Sequence, residues 1–428
     1  MIMRLSCSTV AALSAICLLW PASTAVAAPA YTAQDEAVYL ERFERWQGSA
    51  RQGLALETYE PLEPVPGAPA WTSLSVVPAS ERSIAAGALA AARDYAARNN
   101  SIALLVWHRG RLQQADYFDD AAAGTVFPSR SLAKPMTAVA VGRAIAMGAI
   151  RSLDQPVVDF LHEWRGDPRR SRVLVRHLLD MRSGLLPQGL ALTAEDILNR
   201  AYLHPRHEQV ILRDYPLVDD PGTRYEYNNA TSELVALLIE RATGRRYAEF
   251  VSTEVLKSIG APGGSVWVNR PGGLAHSGCC MMLPPEAWLR LGILVLRDGV
   301  WEGRRLLPEG YVAAMTAGTP QNPYYGLGTY VSGRYIARRG FANPERDREA
   351  LRVLHSEPYL AGDLFLFDGN SNQVVYMIPS EQLVVLRVGG APSRAGGNEW
   401  DNAFLPNTLM RGIVRAPGEA APQPQSRN

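Results

Sequence analysis

The stretch LFLFDGNSNQVVYMIPSEQLVVLRV, residues 364–388, decides the fold. It holds three short apolar runs, Leu364 to Phe367, Gln373 to Ile378 and Leu383 to Val388. Runs of this length, rich in Val, Leu and aromatic residues and bounded by Asn, Asp, Gly, Ser and Pro, read as strands. Pro379-Ser380-Glu381-Gln382 joins the last two as a hairpin. Far upstream, Ile102 to Trp107 and Leu112 to Phe118 flank His108-Arg109-Gly110-Arg111, a second hairpin. Strands at both ends of a helical middle predict one antiparallel sheet built from both parts of the chain and flanked by helices. That is an α/β (α+β) architecture with an all-helical subdomain.

Between and around the hairpins the helical patterns are Asp35 to Trp46, the alanine-rich Ser83 to Asn99, about Ser131 to Gly148, and Trp288 to Leu296. Pro135 fits only near a helix start, which places that start close to Ser131. Leu153 to Arg246 reads as mainly helical with many turns, and the helical subdomain is set at about 149–246. An N-terminal extension and helix span 28–100, and the main domain spans 101–415. The polar, Pro-rich 416–428 reads as a disordered tail. No internal repeat is present.

The first 27 residues read as a secretory signal peptide. Arg4 and the amino terminus give positive charge, Val10 to Trp20 is a short apolar run, and Ala25-Val26-Ala27 fits a cleavage site. The run is too short to span a bilayer, and no other stretch predicts a membrane span. The expected location is therefore outside the cytoplasm, periplasmic or extracellular. Cleavage would remove Cys7 and Cys17 and leave the adjacent pair Cys279-Cys280, read here as small buried residues rather than a redox switch.

With 47% hydrophobic and 20% charged residues the composition is that of a globular protein. The net charge is +1 and no basic run occurs, which disfavours a nucleic-acid partner. The 43 basic residues include only two lysines, Lys134 and Lys257. Where arginine is so dominant, a retained lysine marks a place where arginine cannot serve. Lysine can lose its proton when buried and act as a base, whereas arginine stays protonated.

Lys134 lies three residues after Ser131, at the predicted helix start. Residues three apart share a helix face, so the hydroxyl and the amine can meet. The helix N-terminus also favours developing negative charge at the serine. The plainer reading makes Ser131 an N-cap and Lys134 a solvated first-turn residue, but a cation there opposes the helix dipole. With 26 serines in 428 residues, such a spacing arises by chance with a probability of roughly 0.12 for two lysines. Downstream, Tyr227-Asn228-Asn229 follows the turn Pro221-Gly222 and precedes a helix from Thr231 to Thr243. A tyrosine hydroxyl can relay protons and an asparagine amide can bind catalyst and substrate together; a helix-capping asparagine behind a packed aromatic is the competing reading.

Ser131-x-x-Lys134 followed about a hundred residues later by Tyr227-x-Asn229 resembles the order in serine β-lactamases and penicillin-binding proteins. Arg176 to Leu185, Pro221 to Glu240, Tyr325-Gly326-Leu327-Gly328 and Gln373 to Pro379 are each similar to segments of the class C β-lactamase-related family. The likeness runs from about Ser101 to Gly390 and is nearest the esterase and 6-aminohexanoate-dimer-hydrolase-like branch. It implies a β-lactamase/transpeptidase-like fold. It makes Ser131 the acyl-forming nucleophile, Lys134 and Tyr227 the proton-transfer pair, and Asn229 a substrate-orienting amide. The oxyanion hole would combine the Ser131 N–H with one from the strand near Gln373.

One motif departs from the family. Where Lys-Thr-Gly or His-x-Gly is expected, the chain reads Asp368-Gly369-Asn370-Ser371-Asn372, with no cation. Asn370 is the residue expected to substitute, and Asp368 could repel an anionic substrate. Efficient β-lactam hydrolysis is disfavoured.

The expected activity is acyl transfer on small ester, amide or peptide substrates, without metal or other cofactor. A D-alanyl peptidase, a weak β-lactamase and a non-catalytic binding protein on the same scaffold remain as alternatives. No Gly-x-Ser-x-Gly elbow, phosphate loop or zinc pattern is found, and His204 and His207 read as surface histidines. Trp288 and Tyr325 are candidates for the cleft, with core packing as the default.

Overall fold

The computed structural model describes residues 31–50, 59–188, 191, 193–340, 352–392 and 397–427. The segment read as a signal peptide lies outside them. The two expected hairpins form and meet in one six-stranded antiparallel sheet. Its strands are β1 (Ser101–His108), β2 (Arg111–Tyr117), β3 (Tyr330–Val331), β4 (Phe365–Gly369), β5 (Gln373–Ile378) and β6 (Leu383–Gly389), in the order β2-β1-β6-β5-β4-β3. The chain ends are joined where β6 pairs with β1, Val385 opposite Val106.

The sequence of β6 is apolar without alternation because both faces of the sheet are covered. Val384, Leu386 and Val388 enter one core with Val375 and Met377, while Leu383 and Val385 enter another with Val374 and Tyr376. Five helices frame these layers: α1 (Ala33–Ala50), α2 (Ala86–Arg98), α3 (Ala133–Ala146), α4 (Asn229–Thr243) and α5 (Pro285–Leu296); α6 (Phe404–Arg411) follows near the end. Helix α5 lies close on the first face. A Cβ on its Gly292 would sit 2.9 Å from Val375 and 3.1 Å from Val384, so only glycine permits this approach. Helices α2 and α6 cover the other face, with Leu89 and Leu409 in its core. Arg387, fully buried on β6, donates to the carbonyls of Ser371 (2.7 Å) and Asn372 (3.0 Å) and so fixes the turn between β4 and β5.

Two expectations are revised. The 149–246 region is built less from long helices than from short ones, such as Val175–Leu179 and Ile197–Leu203, separated by turns; α4 is its one long helix among the described residues. Helix α1 packs onto this region, with the Tyr39 hydroxyl donating to Ala194 O (2.6 Å) and Arg200 paired with Glu36 at 2.6 Å. Residues 416–427 are not a free tail. Gln425 is buried, its N–H donates to Tyr359 O (2.9 Å), and its Nε2 donates to Ser332 O (2.8 Å). A polar, Pro-rich composition hides this because the tail is held by backbone and amide hydrogen bonds rather than by apolar burial. Among the described residues no helix is long and apolar enough to cross a membrane.

Candidate active site

Ser131 sits in a 3-10 turn, Arg130–Leu132, that feeds directly into α3. Arg130, just before it, has φ +53°, a left-handed conformation that is uncommon for a residue with a side chain. The turn is pinned from below, as the Ser129 N–H donates to Met281 O (2.9 Å) and the Met281 N–H to Ser129 Oγ (3.1 Å). Helix α3 is buried on nearly every side, which explains its all-round apolar sequence. The helix carries Lys134 into the interior, where it is 3% exposed.

The serine, lysine, tyrosine and asparagine singled out in the sequence meet at this turn. Lys134 Nζ lies 3.1 Å from Ser131 Oγ and donates to Asn229 Oδ1 (2.8 Å) and to the Gly278 carbonyl (2.9 Å). The Tyr227 hydroxyl reaches Ser131 Oγ at 2.8 Å. Two carbonyl acceptors take two N–H groups of the amine, so its third tetrahedral position faces the serine. The asparagine readings are both realised, on different residues. Asn228 caps α4 by accepting from the Thr231 N–H (3.3 Å), and Asn229 holds the lysine.

The cleft above Ser131 is open and has a volume of about 300 Å³, and its walls include Tyr59, Arg130, Tyr202, Cys279, Tyr330 and Asn370. The strand beside Ser131 is β4. A Cβ on Gly369 would stand 3.0 Å from Leu132 N and 3.3 Å from Ser131 N, so β4 ends against the Arg130–Leu132 turn. Gln373 is not part of this wall. It is buried on β5, where its amide exchanges two hydrogen bonds with Gly389 (2.7 and 2.9 Å). The register sets this, since Gly369 pairs with Gln373 across the turn and leaves β4, not β5, next to Ser131. Asn370 lines the cleft.

Asp368 lines the cleft with a partly buried side chain. Its Oδ2 is buried without a hydrogen-bond partner, and burial pushes the carboxyl well above its ordinary range despite the nearby Arg339. Trp288 and Tyr325 are fully buried core residues away from the cleft walls. Cys279 and Cys280 are joined as a disulfide rather than lying as free thiols, and the Tyr202 hydroxyl donates to Cys279 Sγ (3.2 Å). Sequence reasoning missed Gly278 and Tyr59, which come from distant segments, and Arg130, whose place beside Ser131 was a usable signal.

The family model described as Beta-lactamase matches residues 88–389, more than half of the chain. The chain belongs to the β-lactamase family. Esterase EstB of Burkholderia gladioli is 32% identical over 154 residues, covering 32% of this chain and 37% of that protein. The 6-aminohexanoate-dimer hydrolase of Paenarthrobacter ureafaciens is 32% identical over 102 residues, covering 23% and 26%. The chain thus matches well under half the length of either relative. A solved structure of a candidate 6-aminohexanoate-dimer hydrolase from Bacillus anthracis superposes with a TM-score of 0.60 at 17% identity, covering 82% of this chain and 90% of that one. This likeness establishes the fold, β-lactamase/transpeptidase-like.

Gly369→Ala should push the Ser131 turn away from β4. A displacement of about 1 Å at a reacting centre costs about a hundredfold in rate. Turnover of a p-nitrophenyl ester should fall by that order while the far-UV circular dichroism stays that of the parent. Unchanged turnover would show that this close approach does not set the serine's position.

Proposed function

We propose that this protein is an exported serine hydrolase that cleaves ester or amide bonds through an acyl intermediate on Ser131. The observation that carries the reading is the placement of Ser131 Oγ between Tyr227 OH at 2.8 Å and Lys134 Nζ at 3.1 Å. Family membership and the esterase and amide-hydrolase names of the relatives support it.

In this mechanism Ser131 Oγ attacks the substrate carbonyl and its proton passes to the Lys134–Tyr227 pair. The tetrahedral oxyanion is met by the Ser131 N–H at the helix start and by a backbone N–H from the Gly369–Asn370 end of β4. The relayed proton then goes to the leaving alcohol or amine. Water enters by the reverse route and releases the acid. Asn229 keeps the lysine in place and presents its amide to the substrate, while Asn370 lines the opposite side.

A fluorophosphonate should label Ser131, with the adduct found by peptide mass mapping; full labelling of Ser131→Ala would sink the assignment. Absence of labelling in the folded parent would favour a binding protein on this scaffold. Lys134→Arg keeps a cation but offers no neutral amine. It should lose at least about a hundredfold in turnover, the scale of a lost general base. Near-parental turnover would show that charge alone suffices.

Substrate preference follows from β4. The strand and its turn, Phe365 to Asn372, contain no Lys, Arg or His, so they present no cation to a substrate carboxylate. One missing charge-assisted hydrogen bond costs roughly 1.5–3 kcal/mol, about ten- to a hundredfold or slightly more. A short p-nitrophenyl ester should therefore have a higher kcat/KM than a cephalosporin, and Asn370→Lys should narrow the gap by improving the cephalosporin. A higher kcat/KM for the cephalosporin in the parent enzyme would mean that Arg130 receives the carboxylate and that the β-lactamase reading is correct.

Export is part of the proposal and rests on the apolar run and Ala25-Val26-Ala27. Protein recovered outside the cytoplasm should begin at Ala28 by N-terminal sequencing. Accumulation in the cytoplasm with residues 1–27 retained would overturn it.

A further inference from the structure

Behind the lysine lies a second cluster of chemistry-bearing side chains that the mechanism does not use. His207, Glu233 and His276 are 0%, 1% and 0% exposed and do not line the cleft, although the His276 ring packs edge-on against Tyr202 of its wall, with centroids 5.7 Å apart. Burial of His207 corrects its reading as a surface histidine, and His204 is likewise 0% exposed. One donor atom from each of the three lies within 4.8 Å of the others. Both ring nitrogens of His207, both of His276 and both carboxylate oxygens of Glu233 lack a hydrogen-bond partner. The backbone N–H groups of Ser277 and Gly278 lie near enough to favour the carboxylate but do not reach hydrogen-bond geometry. Six buried polar atoms without a hydrogen-bond partner at one place are contrary to how buried polar groups are satisfied.

The spacing separates two explanations. His276 Nδ1 stands 3.4 Å and His207 Nε2 3.8 Å from Glu233 Oε2. Both are too long for good N–H···O bonds, which run about 2.7–3.2 Å. Two ligands each about 2.0–2.1 Å from a tetrahedral metal ion stand about 3.3 Å apart, so Glu233 Oε2 is near that spacing from both nitrogens, while the His207 and His276 rings stack with centroids 4.3 Å apart and the three donor atoms lie within 4.8 Å of one another. Nitrogen and carboxylate donors together suit zinc among the first-row divalent ions. His276 also stacks on Trp267 (centroids 3.6 Å apart, planes at 12°), which fixes its ring.

We propose that His207, Glu233 and His276 form a buried structural site for a divalent metal ion of the zinc type, filled as the chain folds. Its position gives it a task. Glu233 lies one helical turn beyond Asn229 on α4, and His276 lies two residues before Gly278. Asn229 Oδ1 and Gly278 O are the two acceptors that hold Lys134. A metal ion bridging Glu233 and His276 ties together the two segments that position the lysine.

The test uses the full mature chain, denatured with EDTA and refolded with or without zinc chloride under oxidising conditions that keep Cys279–Cys280 closed. Elemental analysis should find about one equivalent of zinc per chain in protein purified without chelator and in the zinc-refolded sample. The zinc-refolded protein should melt several degrees above the metal-free one. Cobalt(II) used in place of zinc should give the visible d–d absorption of a four-coordinate nitrogen–oxygen site. The His207→Gln/His276→Gln variant should lose the metal and the shift in melting. If that variant fails to fold, the cobalt spectrum of the parent decides. The proposal is overturned by less than about 0.1 equivalent of any divalent metal in the parent with no change in melting, by a variant that keeps the full equivalent, or by cobalt that gives only an octahedral aquo spectrum. The first of these would leave the cluster as a proton-sharing Glu–His group.

Discussion

The structure depends on one buried amine. Lys134 Nζ is held by two carbonyl oxygens, those of Asn229 and Gly278, and its remaining direction is toward Ser131 Oγ. These partners come from three separate parts of the chain. Ser131 and Lys134 share the start of α3, Asn229 opens α4, and Gly278 lies in the segment leading to the Met281–Leu283 strand. Burying an amine is tolerable only when its N–H groups are satisfied. The fold supplies those acceptors by docking α4 and the 276–280 segment against α3. In return the amine is fixed at hydrogen-bonding distance from the hydroxyl it serves.

The sheet supplies the other half of the geometry. Strand β4 ends at Gly369, whose missing side chain lets the strand backbone lie against the N–H groups of Ser131 and Leu132. The turn after it is anchored by Arg387 through the Ser371 and Asn372 carbonyls. A rigid sheet edge and a helix start are thereby brought face to face across a narrow gap. That is the arrangement needed to receive charge developing on a substrate oxygen. The N-terminal extension is also part of the site, since it supplies Tyr59 to the cleft wall.

Much of this was legible in the sequence because it rests on local pattern. The two hairpins showed in their apolar runs and turn residues, and β1 to β6 closed the sheet as expected. Ser131 and Lys134 were legible from helical spacing and from the scarcity of lysine, and Tyr227 and Asn229 from their place before a helix. What failed depended on register or on contacts between distant segments. Gln373 is one strand removed from Ser131 because of the β4–β5 pairing. Gly278 acts through its carbonyl, which no residue type announces. Burial pushes the Asp368 carboxyl above its ordinary range, and the apposition of His207 and His276, 69 positions apart, has no short motif. The adjacent cysteines gave a signal, but composition does not say whether they are joined.

The central claim is that Ser131 carries the acyl group between two half-reactions. The most direct test is rapid acid quenching of the enzyme during turnover of a p-nitrophenyl ester, followed by peptide mass analysis. The account predicts a transient mass increase of one acyl group confined to the peptide containing Ser131, formed as the first equivalent of nitrophenol is released and absent from Ser131→Ala. Steady turnover with no acylated peptide at any quench time, or with the acyl group on another residue, would contradict it.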